Sequence, residues 1–184
     1  MKIITDYIAV SERVMDDEEL QLILDFCTTT TAWRPSRVGT RGTVDTSTRN
    51  CSSLIGGRSE FGIPESVWAP IDKVLLNVFG RAVSQYIIKH PDLFVETDTG
   101  YELLRYEVGG FYSWHTDHFE QHPRSLSALL FLNDDFTGGE LEFDDLTIKP
   151  QRGHVALFPS NFMFRHRVTP VEAGTRYTCV TWFK

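Results

Sequence analysis

The sharpest chemical signal in the chain is the run Trp114-His115-Thr116-Asp117. On an extended chain alternate side chains share a face, so His115 and Asp117 can aim at one point. A third ligand must come from a distant strand. His166, 49 residues after Asp117, lies in the strand-like stretch Phe164 to Thr169 and is placed for that. Two imidazoles and one carboxylate form a facial triad with open positions. On an octahedral ion a 2-oxoacid can chelate two of these, which leaves one for dioxygen. A single carboxylate balances only part of a divalent charge, so an anionic cosubstrate can still join. The same residue types suit a hydrolytic zinc site, and a His-x-Asp pair by itself also fits a surface loop. Three histidines compete as ligands. His118 follows Asp117 directly and should point to the other face, His122 precedes Pro123 and reads as loop, and His154 leads into an apolar strand and reads as structural.

A second signal is Arg176, ten residues beyond His166, on the final strand from Thr175 to Phe183. Its neighbours are mostly apolar or aromatic, and a buried arginine needs an anion. The far carboxylate of a dicarboxylic 2-oxoacid would meet that need through a two-pronged, charge-assisted contact. A salt bridge to one of the 25 acidic residues is the competing reading.

Several motifs in one order add a resemblance. They are Arg105-Tyr106, the run from Gly109-Gly110 through Phe111-Tyr112-Ser113 to Asp117, Arg124-Ser125-Leu126, Phe131-Leu132-Asn133, Gly138-Gly139-Glu140-Leu141, His166 with Val168, and Gly174-Thr175-Arg176-Tyr177 with Trp182. From roughly Tyr101 to Lys184 the chain thereby resembles the catalytic core of prolyl 4-hydroxylases and their bacterial and viral relatives, a family of Fe(II)/2-oxoglutarate-dependent oxygenases. The resemblance implies a double-stranded β-helix (jelly-roll, cupin-like) with helices on one side. It implies Fe(II), 2-oxoglutarate and O2 as cofactors, with ascorbate as a candidate reductant. The implied reaction couples decarboxylation of 2-oxoglutarate, giving succinate and CO2, to hydroxylation of a proline-containing peptide or protein.

By position, His115, Asp117 and His166 would bind iron and Arg176 would hold the distal carboxylate. Tyr106 and Tyr112 would line the cosubstrate pocket, Leu141 and Val168 would form its apolar wall, and Arg124 and Trp182 would touch substrate. An Asp at 117, where a small residue would leave room for halide, favours hydroxylation over halogenation. Some relatives carry Lys at the Arg176 position, and some carry a Tyr at the Phe131 position whose hydroxyl helps hold the cosubstrate. Phe131 has no such group, so Thr178, on the same strand face as Arg176 and Trp182, is the candidate replacement. Tyr106, Tyr112 and Trp182 could equally be core aromatics, and Arg124 a surface charge. Arg49, in Thr48-Arg49-Asn50, is a candidate to reach substrate from the N-terminal half. Other readings are an oxygenase acting on a free amino acid or small metabolite, a non-catalytic jelly-roll binding module, and a nucleic-acid demethylase.

The elements that must position these residues are legible in outline. A length of 184 residues with 41% hydrophobic residues suits one domain with one core, and the 12% aromatic content suits a β-rich interior. A net charge of -7 disfavours bulk nucleic acid and anionic lipid. A local basic groove from Arg34, Arg37, Arg41 and Arg49 stays compatible with it. Cys27, Cys51 and Cys179 read as reduced thiols, and Met1 to Val10 lacks the apolar run of a signal peptide or membrane helix. A cytoplasmic setting is expected, and collagen processing in a secretory compartment is not.

Helices are expected over Met15–Thr30 and Pro64–Lys89, the first ended by the β-branched run Thr28–Thr31. The second carries an apolar stripe of Val67, Ile71, Val74, Leu75, Val78 and Val83, and Pro70 should break or kink it. Trp33–Gly57 reads as short strands or a mobile loop. Strands are expected over Tyr101–Val108, Ser125–Leu132, Glu140–Phe143, His154–Phe158, Phe164–Thr169 and Thr175–Phe183. Helices first and strands later give an α+β, mainly β chain. Residues 1–100 then serve as helical support and substrate-loop region, and 101–184 as the catalytic core.

Overall fold

A computed structural model describes all residues of the chain except Ile4, Arg13, Thr40 and Arg41, so the expected place of Arg41 in a basic groove lies outside the described residues. In chain order the elements begin with β1 (Lys2–Ile3), β2 (Ala9–Ser11), α1 (Asp17–Thr29), β3 (Arg34–Pro35), β4 (Arg49–Asn50), β5 (Ser52–Ile55) and α2 (Glu65–Lys89). Then come β6 (Glu102–Tyr106), β7 (Phe111–His115), β8 (Leu126–Phe131), β9 (Thr137–Gly138), β10 (Leu141–Phe143) and β11 (Leu146–Ile148). The chain ends with β12 (Val155–Pro159), β13 (His166–Val168), β14 (Val171–Ala173) and β15 (Arg176–Phe183).

Eight strands form a major sheet in the order β1-β2-β12-β8-β15-β6-β5-β3, five form a minor sheet in the order β11-β10-β13-β7-β4, and β14 pairs with β9. The two larger sheets face each other as the double-stranded β-helix that the sequence implies. The central strands of the major sheet are covered on both faces, which explains why β8 (Leu-Ser-Ala-Leu-Leu-Phe) is buried throughout rather than at alternate residues. Leu103, Leu130, Val155, Leu157 and Cys179 look toward the helices, while Leu104, Leu129, Ala156 and Val180 look between the sheets.

The helices form the outer layer. Asp16 caps α1: its carboxylate accepts from the Glu19 backbone N–H while the Glu19 side chain accepts from the Asp16 N–H. The helix therefore starts at Asp17 rather than at Met15. The threonine run does not end it at once, because Thr28 and Thr29 turn their hydroxyls back to the Asp25 carbonyl. Helix α2 runs unbroken through Pro70, which sits close enough to the N-terminus for few backbone bonds to be lost. Its buried stripe is Trp68, Ile71, Leu75, Val78, Phe79, Ala82, Val83 and Tyr86; Val67, expected in it, is exposed.

Within 33–57 the described residues adopt the short-strand alternative. β5 joins the major sheet beside β6 and β4 joins the minor sheet beside β7, so this segment bridges the open end of the barrel. Before β7, Gly109 takes a positive φ of 79° and the Gly110 N–H closes the turn onto the Glu107 carbonyl at 2.7 Å. A Cβ on Gly110 would lie 2.7 Å from that same oxygen, so the Gly-Gly pair is the backbone requirement that aims β7 into the barrel. Cys27, Cys51 and Cys179 are all free thiols. No helix among the described residues is long and apolar enough to cross a membrane.

Candidate active site

Strands β13 and β7 are antiparallel, and His166 stands directly opposite His115 in their register. Asp117 lies in a bend just past the end of β7, still close enough to meet both imidazoles. One ligand atom from each of His115, Asp117 and His166 falls within 4.8 Å of the others, the spacing of a shared metal ion. The two Asp117 oxygens are divided between the histidines, Oδ1 lying 3.6 Å from His115 Nε2 and Oδ2 3.6 Å from His166 Nε2. Each histidine bonds through Nδ1 to the carbonyl two residues back, His115 to Ser113 at 2.8 Å and His166 to Phe164 at 3.0 Å. Those bonds put the proton on Nδ1 and leave the Nε2 lone pair facing the carboxylate, the tautomer a metal needs. Burial first, and the neighbouring His166 second, push the His115 imidazole down to about 3, so it is a neutral ligand at neutral pH. Burial works to raise the Asp117 carboxyl, but the facing His166 and His115 and the Ser127 hydroxyl hold it below the usual carboxylate range.

The packing around the triad fixes its geometry. Tyr112 stacks on His115 at 3.6 Å between centroids, and Phe158 meets His166 edge-on at 4.7 Å. Ser127 Oγ donates to Asp117 Oδ2 at 2.7 Å and lies 2.8 Å from Ser160 Oγ, and both serines are fully buried. Sequence reasoning missed this pair. The available signal was a serine inside the apolar run of β8, since a buried hydroxyl needs a partner. Ser127→Ala is expected to lower metal affinity by roughly 10- to 100-fold and to destabilise the apo protein by about 1–3 kcal/mol, because Oδ2 loses its donor. Titration with Mn(II) followed by electron paramagnetic resonance, beside a denaturant melt, checks both. The competing histidines are elsewhere: His118 bonds to the Arg124 backbone on the surface, His122 is exposed, and His154 sits in the turn before β12.

A cavity of about 590 Å³ opens beside the triad. Leu141 and Val168, paired in register, form one wall with Tyr112. Tyr106, Leu104, Leu129, Val180 and Phe158 form the inner end; apart from Tyr106 these were not anticipated, although Leu104 and Val180 lie on the same strand faces as Tyr106 and Trp182. Arg176 stands opposite Tyr106 in the β15–β6 register, is 0% exposed, and carries its guanidinium 4.9 Å from the Tyr106 ring and 5.7 Å from that of Phe131. Among the described residues the salt bridge considered for it is not formed: Nε, Nη1 and Nη2 are all buried without a hydrogen-bond partner there, and so is Thr178 Oγ1 on the same strand face. Burial drives the guanidinium below its usual range, the sign of a charge held without compensation. Gly139 makes room for it, with a φ of 63° and a hypothetical Cβ only 2.9 Å from Arg176 Cδ. A buried guanidinium and hydroxyl without acceptors fit a carboxylate ligand.

The remaining candidates stand at the mouth. Arg124 lies 3.7 Å over the Trp182 ring and donates to the Asp117 carbonyl at 3.1 Å, which brings both residues beside the triad. Arg49 lines the cavity too, but it is neutralised by Glu102 at 3.1 Å, donates to the Arg37 carbonyl and packs over Tyr112. Its charge is committed to holding β4 and β6 together across the barrel end.

Known proteins share this sequence and shape. Residues 101–184 match the family model for the 2OG-Fe(II) oxygenase superfamily. The chain is 35% identical over 94 residues to a PKHD-type hydroxylase of Bordetella pertussis, covering 44% of this chain and 41% of that protein. It is 30% identical over 147 residues to a PKHD-type hydroxylase of Teredinibacter turnerae, covering 70% and 64% respectively. The chain thus spans less than two thirds of either relative. Among solved structures it resembles a prolyl hydroxylase of Trichoplax adhaerens in complex with a hypoxia inducible factor peptide fragment (TM-score 0.77, 18% identity, 97% of this chain and 84% of that one). It also resembles a Pseudomonas putida prolyl-4-hydroxylase (TM-score 0.66, 20% identity, 96% and 92%). These two show a shared fold.

Proposed function

We propose that this chain, whose residues 101–184 match the 2OG-Fe(II) oxygenase superfamily model, is an Fe(II)/2-oxoglutarate-dependent dioxygenase hydroxylating peptidyl proline. His115, Asp117 and His166 would hold the iron, and Arg176 with Thr178 would hold the distal carboxylate of 2-oxoglutarate. Tyr106 and Tyr112 would line the cosubstrate's path and Leu141 with Val168 its flank. When bound, the metal and 2-oxoglutarate supply the oxidising power: one oxygen atom of O2 goes into succinate as CO2 leaves, and the other enters a substrate C–H bond. The chain's part is to bind, orient and exclude. The apolar inner end of the cavity keeps water from the reacting centre. Arg124 and Trp182 form a stacked platform beside the triad on which a substrate segment would rest.

The observation that carries this reading is the buried guanidinium of Arg176, without a single acceptor, in the same barrel as a two-histidine, one-carboxylate cluster. A peptide rather than a small metabolite is supported by the width of the cavity, which reaches past the triad to the segment bridging the two sheets. The Trichoplax neighbour, with its bound peptide, points the same way. A reducing, cytoplasmic setting is in keeping with three free thiols.

The test is turnover by the full chain with Fe(II), 2-oxoglutarate and ascorbate, offered a proline-rich peptide and free proline in parallel. One oxygen gained on the peptidyl proline, matched by succinate, is the expected result. Oxidation of the free amino acid alone would sink the peptide assignment, and no succinate with either would sink the oxygenase.

A further inference from the structure

The cavity mouth carries charge opposite to that of the chain. The sequence has 25 acidic residues against 18 basic ones. The cavity, however, is lined by five arginines, Arg34, Arg37, Arg49, Arg58 and Arg124, and by only three acids, Glu60, Glu102 and Asp117. Much of this is already committed. Arg49 is paired with Glu102, Arg124 is stacked on Trp182, and Asp117 belongs to the triad. The other three arginines are exposed, and among the described residues none makes an ion pair. Arg34 reaches no further than the Trp33 carbonyl. Glu60 is the one uncommitted acid facing them.

The backbone beneath these three side chains is well anchored. Arg34 lies on β3, the outer edge of the major sheet, opposite Ser53 of β5, and Arg37 follows two residues after β3. Arg58 sits at the start of the short 3-10 turn Ser59–Phe61 beyond β5. Arg34, Arg37 and Arg58 thus line one cavity from β3, the residues just after it and the turn beyond β5. Exposed guanidinium groups without an acidic partner attract an incoming anion.

We infer that this rim is a specificity site for an acidic peptide segment, with Arg34, Arg37 and Arg58 holding carboxylate side chains that flank the residue presented to the triad. The inference rests on the peptide reading of the site. A carboxylate-bearing peptide fits better than a nucleic acid because the positive region is short. A longer polyanion would run from the rim onto a chain of net charge -7, whereas one or two carboxylates beside a target residue occupy the rim alone.

The test uses fluorescein-labelled peptides of equal length with one central proline, flanked by Glu, Gln or Lys, titrated against the full chain loaded with Mn(II) and 2-oxoglutarate. The Glu-flanked peptide should bind about tenfold more tightly than the Gln-flanked one, and the advantage should shrink as added salt screens the rim. Arg37→Glu combined with Arg58→Glu should invert the order and make the Lys-flanked peptide the tightest ligand, a gain of binding that misfolding cannot imitate. Equal affinities for the three peptides, or an unchanged order in the charge-reversed variant, would overturn the inference. So would a single-stranded oligonucleotide that binds more tightly than the Glu-flanked peptide. Hydroxylation followed in parallel keeps the two proposals apart. Proline oxidised equally well whatever its flanks would leave the prolyl assignment standing and remove this one. Charge-ordered binding with no oxidised proline would do the reverse.

Discussion

His166→Ala is expected to bring succinate release to background and to weaken Mn(II) or Fe(II) binding by more than the roughly 10- to 100-fold typical of losing a group that merely supports a ligand. Two of the three ligand atoms would remain, on a short stretch of one strand and its following bend. Among the described residues no other His, Cys, Asp or Glu joins the cluster to replace the lost imidazole: His118 bonds to the Arg124 carbonyl, His122 is exposed and His154 lies in the turn before β12. The substitution also takes a ring from between Phe158 and His115, whose centroids lie 4.7 and 4.2 Å away. Some loss of apo stability therefore accompanies it, and activity alone would be a poor readout. The decisive measurement is metal affinity by calorimetry at a temperature where the melt of the variant shows it folded. A folded variant that still bound metal like the parent would remove His166 from the site and the oxygenase assignment with it.

The route from sequence to this site was uneven for physical reasons. Period-two spacing puts His115 and Asp117 on one side of the chain, and the strand-like stretch Phe164 to Thr169 offers His166 as a third ligand, but neither fixes which residue His166 faces. His166 opposite His115 is a matter of register between segments about 50 residues apart, set by turns and packing that no local pattern records. Asp117 in fact lies beyond the strand, and what steadies it is Ser127, a polar residue in a run whose apolar neighbours dominated the reading.

Strands β6, β8, β12 and β15 were legible because two cores sandwich the major sheet and fill each strand mainly with apolar, aromatic and β-branched residues. β1, β2, β9, β11 and β14, each two or three residues long, exist only through their partners and left no signal. The apolar stripe of α2 was placed with Val67 inside it, since a helix with apolar residues on several sides does not say which side the sheet will cover. Arg49 lines the cavity, but its pairing with Glu102, 53 residues away, has no signal in the sequence.

Arg176→Met should give opposite signs in two measurements on the same protein. The apo chain should be as stable as the parent or more so. A guanidinium buried with no acceptor is costly, and an apolar chain of similar length can fill the space beside Tyr106 and Phe131. The cation–π contacts given up are worth about 0.5–2 kcal/mol, which limits the gain. Binding of 2-oxoglutarate should instead collapse. Removing one member of a buried, charge-assisted pair costs on the order of 2–5 kcal/mol, or roughly 30- to 4000-fold in Kd at about 1.4 kcal/mol per tenfold.

A thermal melt reads both effects. In the parent, ligand at about 100 times Kd adds about 2.7 kcal/mol of stability, and in the variant the same concentration should add almost nothing. Arg176→Lys should recover part of the binding, because an ammonium keeps the charge but not the planar two-pronged grip. Thr178→Val, which removes a single neutral donor, should cost about tenfold or less. Apo stability falling by several kcal/mol in Arg176→Met, with 2-oxoglutarate binding intact once the variant is folded, would mean that the guanidinium holds up the barrel rather than the cosubstrate. The fit of a dicarboxylate to this site would then have lost its main support.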